Sequence, residues 1–417
     1  MPSTSLLLAE PRSSFFRPEG RGYPPVEPTA TPLRQWPIAI LGVPFDPLTL
    51  ASAVDSIGAM IDDGQPHYVV TPNVDFLVQA HHDAALHQIL VQADLVLCDG
   101  KPLVWASRWL GNPLPGRVAG SDLMPFLLQR AAERGWKIFL LGGAAGVGAL
   151  AAQRIAAAYP SLPTVAHYSP PNRPLAAMNH DEIVARVRAA APDVVLVCFG
   201  CPKQEKWIFQ HYRTVGAPVM IGAGGTVDFL AGRLKRAPMW MRRSGTECLF
   251  RLWQEPRRLF KRYVGDLVGF VPALLAQLWF LKSHFAATRP LRGAPSSARM
   301  DYGLKVQAAG RFQCDALQHN PNFWAQAVEQ RGHCLIDLAG VKSIDSTGLA
   351  FLAHWQRRLA QVQRNLILFR PSRAVRSALR RMQLTEQFVI TDGPPPGAPA
   401  PTASGDRRGN PPTDVES

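Results

Sequence analysis

Between residues 37 and 228, six short apolar runs alternate with longer amphipathic stretches. The runs read PIAILGV, HYVVTPN, LVLCDG, KIFLLGG, DVVLVCFG and PVMIGAGG. The stretches between them include VDFLVQAHHDAALHQIL, GSDLMPFLLQRAAERG, GVGALAAQRIAAAY and HDEIVARVRAAA. A strand that is apolar at nearly every position has no solvent face, so it must be covered on both sides. Helices recurring between such strands supply the cover, which predicts an α/β core with a mostly parallel sheet and helices on both faces. Ligands in such sheets sit beyond the carboxyl ends of the strands. Five of the six runs end in turns containing Gly, Asn, Asp or Pro, and function is expected there.

The 417 residues allow two domains, each with its own core. An apolar fraction of 47% suits globular protein, but 38 prolines exceed what packed domains use. The surplus is expected in a disordered leader over 1–32, a linker AATRPLRGAPSSARM over 286–300, and a disordered tail over 393–417. The Rossmann-like core is placed at 33–232. A second, small α/β unit is placed at 301–392, with strands at GLKVQAAG, CLIDLAG, LILF and QFVI and helices near 321–331, 348–362 and 373–382. The start, MPSTSLLLAEPRSSFF, lacks the basic n-region and long apolar h-region of a secretory signal. The six cysteines are scattered or sit inside strand-like runs, unlike the framework of a small secreted domain. A cytoplasmic chain with free thiols is expected.

A net charge of +14 points to an anionic partner: nucleic acid, a lipid surface or a phosphorylated substrate. Position narrows the choice. Residues 233–262, RLKRAPMWMRRSGTECLFRLWQEPRRLFKR, hold ten Lys/Arg against two Glu, interleaved with Trp, Met, Leu and Phe. The strongly apolar YVGDLVGFVPALLAQLWFLKSHF follows over 263–285, with Pro272 inside it and Asp266 near its start. Its uncharged part, Leu267 to Leu281, falls short of the roughly twenty residues that span a bilayer. An interfacial helix or helical hairpin lying on an anionic membrane is expected, against the alternative of a helix packed on the domain. Cations beside an apolar stretch suit lipid better than nucleic acid, so no nucleic-acid partner is expected.

The stretch VCFGCPKQEKWI sets Cys198 and Cys201 three apart. One CxxC pair with no second pair and no His cluster makes neither a zinc site nor, with Cys198 inside a strand, an exposed redox pair. The chemistry is expected after the cysteines, where Gln204 and Glu205 start a helix at the sheet's ligand edge.

TPNVDFL (71–77), ADLVLCDGKPLVW (93–105), RVAGSDL (117–123), GCPKQE (200–205) and GAGGTVDFLAGRLKRAPMWMRRSGTECLFRLWQEPRRLFKRY (222–263) occur in that order. Together they resemble the WecG/TagA/CpsF family of bacterial glycosyltransferases over roughly 37–265. The resemblance implies transfer of a hexose or N-acetylhexosamine from a UDP-sugar donor to a polyprenyl-diphosphate-linked acceptor, with inversion, at the cytoplasmic membrane face. N-acetylmannosamine transfer, or transfer of another hexose such as glucose in exopolysaccharide assembly, falls within that range.

Inverting transfer needs a base for the acceptor hydroxyl and positive charge on the leaving diphosphate. The resemblance places the base at Asp99, although an Asp-Gly at a strand end can also be a mere turn. It places Arg117 near the site, with a solvated loop charge as the alternative, and Gln204 at an active-site position. Thr71 and Asn73 offer a hydroxyl and an amide at a strand end, and Asn73 also suits a helix cap. Gly224 and Gly225 would let a substrate approach the backbone, and Asp228 would hold a sugar hydroxyl or cap a helix. Arg251, Arg257, Arg258 and Arg262 match arginines of an appendage that closes on the site and touches membrane. Trp240, Trp253 and Phe260 suit a lipid interface or a core. Cys248 stands where the family more often has Trp. No strand ends in an Asp-x-Asp motif, so no metal ion or other cofactor is expected and arginines must supply the charge.

CLIDLAGVKSIDSTGLAFLAHW (334–355) resembles a STAS domain, whose loop Ser or Thr is phosphorylated or contacts a protein partner. Ser346 and Thr347 are the candidates, with a kinase or docking protein as partner. Ser346 also suits a simple helix cap. A competing reading makes the chain a STAS-type signalling scaffold with a non-catalytic transferase domain. The presence of Thr71, Asn73, Asp99, Arg117 and Gln204 together speaks against it.

Overall fold

The computed structural model describes residues 36–234, 236–238, 240–241, 246–285, 295–300, 303–329 and 333–393. The expected leader and nearly all of the expected tail lie outside these residues.

The first apolar run does not join the main sheet. Strands β1 (Ile38–Ile40) and β2 (Val43–Phe45) form an antiparallel hairpin of their own. The reason is local: Leu41 and Gly42 both take positive φ, 49° and 84°, the geometry of a tight primed turn. The six-stranded sheet is built from β3 (His67–Val70), β4 (Leu95–Val96), β5 (Ile138–Gly142), β6 (Ala166–Tyr168), β7 (Val194–Cys198) and β8 (Val219–Gly222). Its order is β4-β3-β8-β7-β5-β6, and every pairing is parallel. β6 has no buried residue, so its short run carries no apolar signal in the sequence. β5, β7 and β8 are buried throughout, as strands covered on both faces must be.

The stretch expected as one helix after β3 is two, Val74–His82 and Ala84–Gln92. Asp83 between them leaves the helical region and caps the second, accepting from the Leu86 N–H.

After the sheet come the helices Glu247–Gln254 and Pro256–Phe285. The second, thirty residues long, is the long helix below. Over Leu259–Ser283 it is long and apolar enough to cross a membrane by length and composition. Pro272 is accommodated inside it. One side, including Leu259, Phe270, Leu274 and Leu281, is buried against the protein. The other leaves Phe260, Val264, Leu267, Val268, Val271, Leu275 and Trp279 exposed. The segment is one continuous helix and not a hairpin, with one face packed on the domain, as the alternative reading had it, and the other an exposed apolar stripe.

The C-terminal sheet contains β9 (Ser296–Met300), β10 (Gly303–Phe312), β11 (His333–Ile344), β12 (Leu366–Phe369) and β13 (Val389–Thr391), in the order β13-β12-β11-β10-β9. β9 corrects the sequence reading: residues 296–300, expected as linker, add an antiparallel edge strand to β10. The helix Ser346–Gln361 follows β11 and packs on the hairpin, with Trp36 edge-on to Phe351 at 4.9 Å. Arg357 is buried in the same seam, donating to Asp46 at 3.0 Å and to the Ala93 carbonyl at 2.7 Å. The two domains share one continuous apolar core through the hairpin.

Candidate active site

Four neighbouring strands deliver the expected residues to one edge. Asp99 follows β4, Thr71 and Asn73 follow β3, Gly224, Gly225 and Asp228 follow β8, and Gln204 follows β7. Their separation in sequence reflects only the crossovers of a parallel sheet.

Thr71 is buried, and its hydroxyl donates to the Gly222 carbonyl at 3.4 Å, tying β3 to β8. Asn73 accepts from the Phe76 N–H at 3.3 Å and so caps the helix Val74–His82. Gln204 is also buried. Its Oε1 accepts from the Gly200 and Gly224 N–H groups at 3.1 and 3.0 Å, while its Nε2 donates to Glu205 Oε1 at 2.7 Å. In this arrangement Gln204 braces two glycine turns. Gly222 explains why the brace fits: a Cβ there would sit 2.8 Å from Gln204 and Glu205 side-chain atoms. Gly224 needs its φ of +49°, and Gly225 is exposed with open space where a Cβ would stand. Burial pushes Glu205 up to about 7. It likewise pushes Cys198 to about 12 and Cys201 higher still, so neither thiol is a ready thiolate.

Asp99 is partly buried, and its carboxylate has no hydrogen-bond partner among the described residues. Burial raises it to about 6, against the pull of Arg117 and Arg251. Around it runs a chain of ion pairs. Arg117 donates to Asp122 and, at 2.6 Å, to Glu247. Arg236 also pairs with Asp122, and Arg251 with Glu247 at 3.0 Å. Arg117 and Asp122 belong to the core, whereas Arg236, Glu247 and Arg251 belong to the basic segment. The network therefore fastens the segment over the strand edge. Burial opposes the Arg117 charge, but Asp122 and Glu247 outweigh it and hold the guanidinium protonated. Arg117 is only 14% exposed and saturated by carboxylates, whereas Arg251, 43% exposed, remains open toward solvent.

The other arginines are spread along the long helix. Arg257 is exposed, and the Arg258 side chain lies outside the described residues. Arg262 reaches Asp75 at 3.5 Å and Asp266 at 3.8 Å, so it seats the long helix on the helix Val74–His82. Asp228 is partly buried, and its carbonyl accepts from the Arg233 N–H. Trp240, Trp253 and Phe260 are exposed.

Sequence reading singled out neither Glu247, Asp122 nor Arg236. Asp122 was visible in RVAGSDL and Glu247 as one of two acids among ten bases, but nothing in either stretch says which bases they meet.

Ser346 and Thr347 are fully buried. The Ser346 hydroxyl accepts from Gln277 of the long helix at 2.9 Å, so this loop meets its own chain and offers a kinase no exposed hydroxyl.

A parallel sheet with a partly buried carboxylate at its carboxyl edge, and two guanidinium groups near enough to act on its charge, suits an enzyme that works on anionic substrates. Residues 38–284 match the model of the glycosyl transferase WecG/TagA/CpsF family, and the chain belongs to that family. Residues 303–391 match a Mlab-type STAS domain model. The N-acetylglucosaminyldiphosphoundecaprenol N-acetyl-beta-D-mannosaminyltransferase of Staphylococcus aureus strain MRSA252 is similar, with 31% identity over 53% of this chain and 86% of its own length. The enzyme of the same name from strain MW2 is 30% identical over the same shares.

Proposed function

We propose that this enzyme is an inverting glycosyltransferase that moves a hexose or N-acetylhexosamine from a UDP-sugar to a polyprenyl-diphosphate-linked saccharide on the cytoplasmic membrane face. Its place is in exopolysaccharide or cell-envelope glycan synthesis. The observation that carries the reading is Asp99, a carboxylate with open lone pairs beside guanidinium groups, poised near neutral pH.

In the reaction Asp99 takes the proton of the acceptor hydroxyl as that oxygen bonds to C1 of the donor sugar. The bond from C1 to the diphosphate oxygen breaks on the opposite face, and UDP leaves with the electron pair. Arg251 is the cation available to the growing diphosphate charge, while Arg117 holds the segment that carries Arg251. The names of the staphylococcal relatives supply the acceptor class, a sugar on diphosphoundecaprenol, and N-acetylmannosamine as one candidate donor sugar.

The exposed apolar stripe of the long helix is the surface for membrane. It suits shallow insertion, because its opposite face is committed to the protein. Arg257 and Lys261 flank it and would each contribute about 1 kcal/mol against anionic headgroups.

Purified enzyme given a panel of UDP-sugars and a polyprenyl-diphosphate-linked N-acetylglucosamine should release UDP, including in the presence of chelator. Asp99→Asn should abolish transfer while UDP-sugar binding persists. Normal turnover in that variant would remove Asp99 from the mechanism, and rescue of a chelator-induced loss by a divalent ion would sink the arginine-only account of leaving-group charge.

A further inference from the structure

In the uncharged run from 267 to 281 one side chain is a carboxamide, Gln277, and it faces inward, 2% exposed. It lies against the free edge of the hairpin. Ala39 stands opposite Pro44, and its carbonyl points away from β2, as does the Leu41 N–H. Gln277 Nε2 donates to that carbonyl at 2.9 Å, and its Oε1 accepts from the Leu41 N–H at 2.9 Å. These are the two bonds that one residue of a third strand would make through its own N–H and C=O. The remaining Nε2 proton goes to Ser346 Oγ, also at 2.9 Å. One side chain thus joins the long helix, the hairpin and the STAS loop, with every donor and its acceptor oxygen used.

We infer that Gln277 is a positioning residue that sets the register of the long helix against both domains, and that the STAS domain works in cis as part of the transferase. Leucine-rich faces pack almost equally well after a small rotation, whereas a buried amide has one place where its bonds are made. With Gln277 seated, Val264, Leu267, Val271 and Leu275 must point outward. The STAS domain fixes the other side of the seat. Met382 presses its carbonyl against Gly42, where a Cβ would meet it at 2.1 Å, and Arg357 is buried on Asp46. The inference rests on the reading of the long helix as the membrane-facing element. Its prediction is specific to substrates that reside in a bilayer: the register decides how the lipid-borne acceptor meets Asp99.

The full-length Gln277→Leu and Ser346→Ala variants should be compared on two acceptors. One is the polyprenyl-diphosphate sugar in phosphatidylglycerol/phosphatidylcholine vesicles, the other a short-chain, water-soluble analogue. On vesicles kcat/KM should fall roughly tenfold for Gln277→Leu and about threefold for Ser346→Ala, while both stay within twofold of wild type on the soluble acceptor. The double variant should be no worse than Gln277→Leu alone, since the two residues share one contact. Equal losses on both acceptors, no loss on vesicles, or additive losses would overturn the inference. Should wild type transfer to neither acceptor, the proposed function fails and amide hydrogen exchange decides this point separately. Ser346→Ala must then speed exchange over 263–285, and unchanged exchange there overturns the register role.

Discussion

Asp99 and Asp345 occupy the same place in two different sheets, after a strand and before a helix, and they are bonded differently. Asp345 follows β11, and burial raises it to about 6, as it does Asp99. Its lone pairs are spent on backbone: Oδ1 accepts from the Gly348 N–H at 2.8 Å and Oδ2 from the Cys314 N–H at 3.0 Å. Asp99 makes no such bond among the described residues, and Gly100 leaves the helix Lys101–Trp109 without a side-chain cap. An acid that satisfies N–H groups is a fastener. An acid of similar pKa with open lone pairs beside cations can take a proton.

The largest test of that contrast is Asp99→Asn, which should lower kcat on the order of 10³-fold with the fold intact. Asp345→Ala should leave turnover within threefold, and comparable losses at the two positions would break the comparison. Next comes Arg251→Ala, expected to lower kcat on the order of 10²-fold by removing the open cation from the leaving group. A change confined to KM would instead make Arg251 a ground-state binder. Smaller is the effect of Asp345→Ala on stability, a loss of about 1 kcal/mol from the missing cap, measured by chemical denaturation.

The pH dependence sharpens the same contrast with the smallest effect. As the proposed base Asp99 would have to be ionised, so kcat/KM should rise with pH through about 6 and fall about twofold from pH 7.5 to 6. The sign for stability is opposite. Folded Asp99 has a pKa above the unfolded value near 4, so its ionisation destabilises the fold as pH rises through about 6. Asp99→Asn should therefore be more stable than wild type at pH 7.5. Equal or lower stability would mean that Asp99 is held in place by its charge.

Much of the site was legible because its residues end buried strands, where apolar runs stop and Gly, Asn or Asp begin. Asp99, Thr71 and Asn73 could be placed on that rule. Arg117 could be placed near the site, but not its saturation by Asp122 and Glu247, because ion pairing is a choice among many cations. Gln204 was readable as a residue of the edge, whereas its use as a brace depends on the Gly200 and Gly224 turns meeting across β7 and β8. PIAILGV read as a core strand since its turn is encoded in two dihedrals and not in composition.

The order of apolar runs and turns by itself determined two α/β units, the sheet edge that gathers the candidate site residues, and a helix with an apolar surplus. Those properties follow from local periodicity and burial. The tertiary structure alone decided which acid kept its lone pairs, which arginine stayed open, and that the STAS loop is closed by Gln277 from 69 residues away. Hydrogen bonds and ion pairs are short-ranged, so partners distant along the chain are settled only when the packed elements bring them within reach.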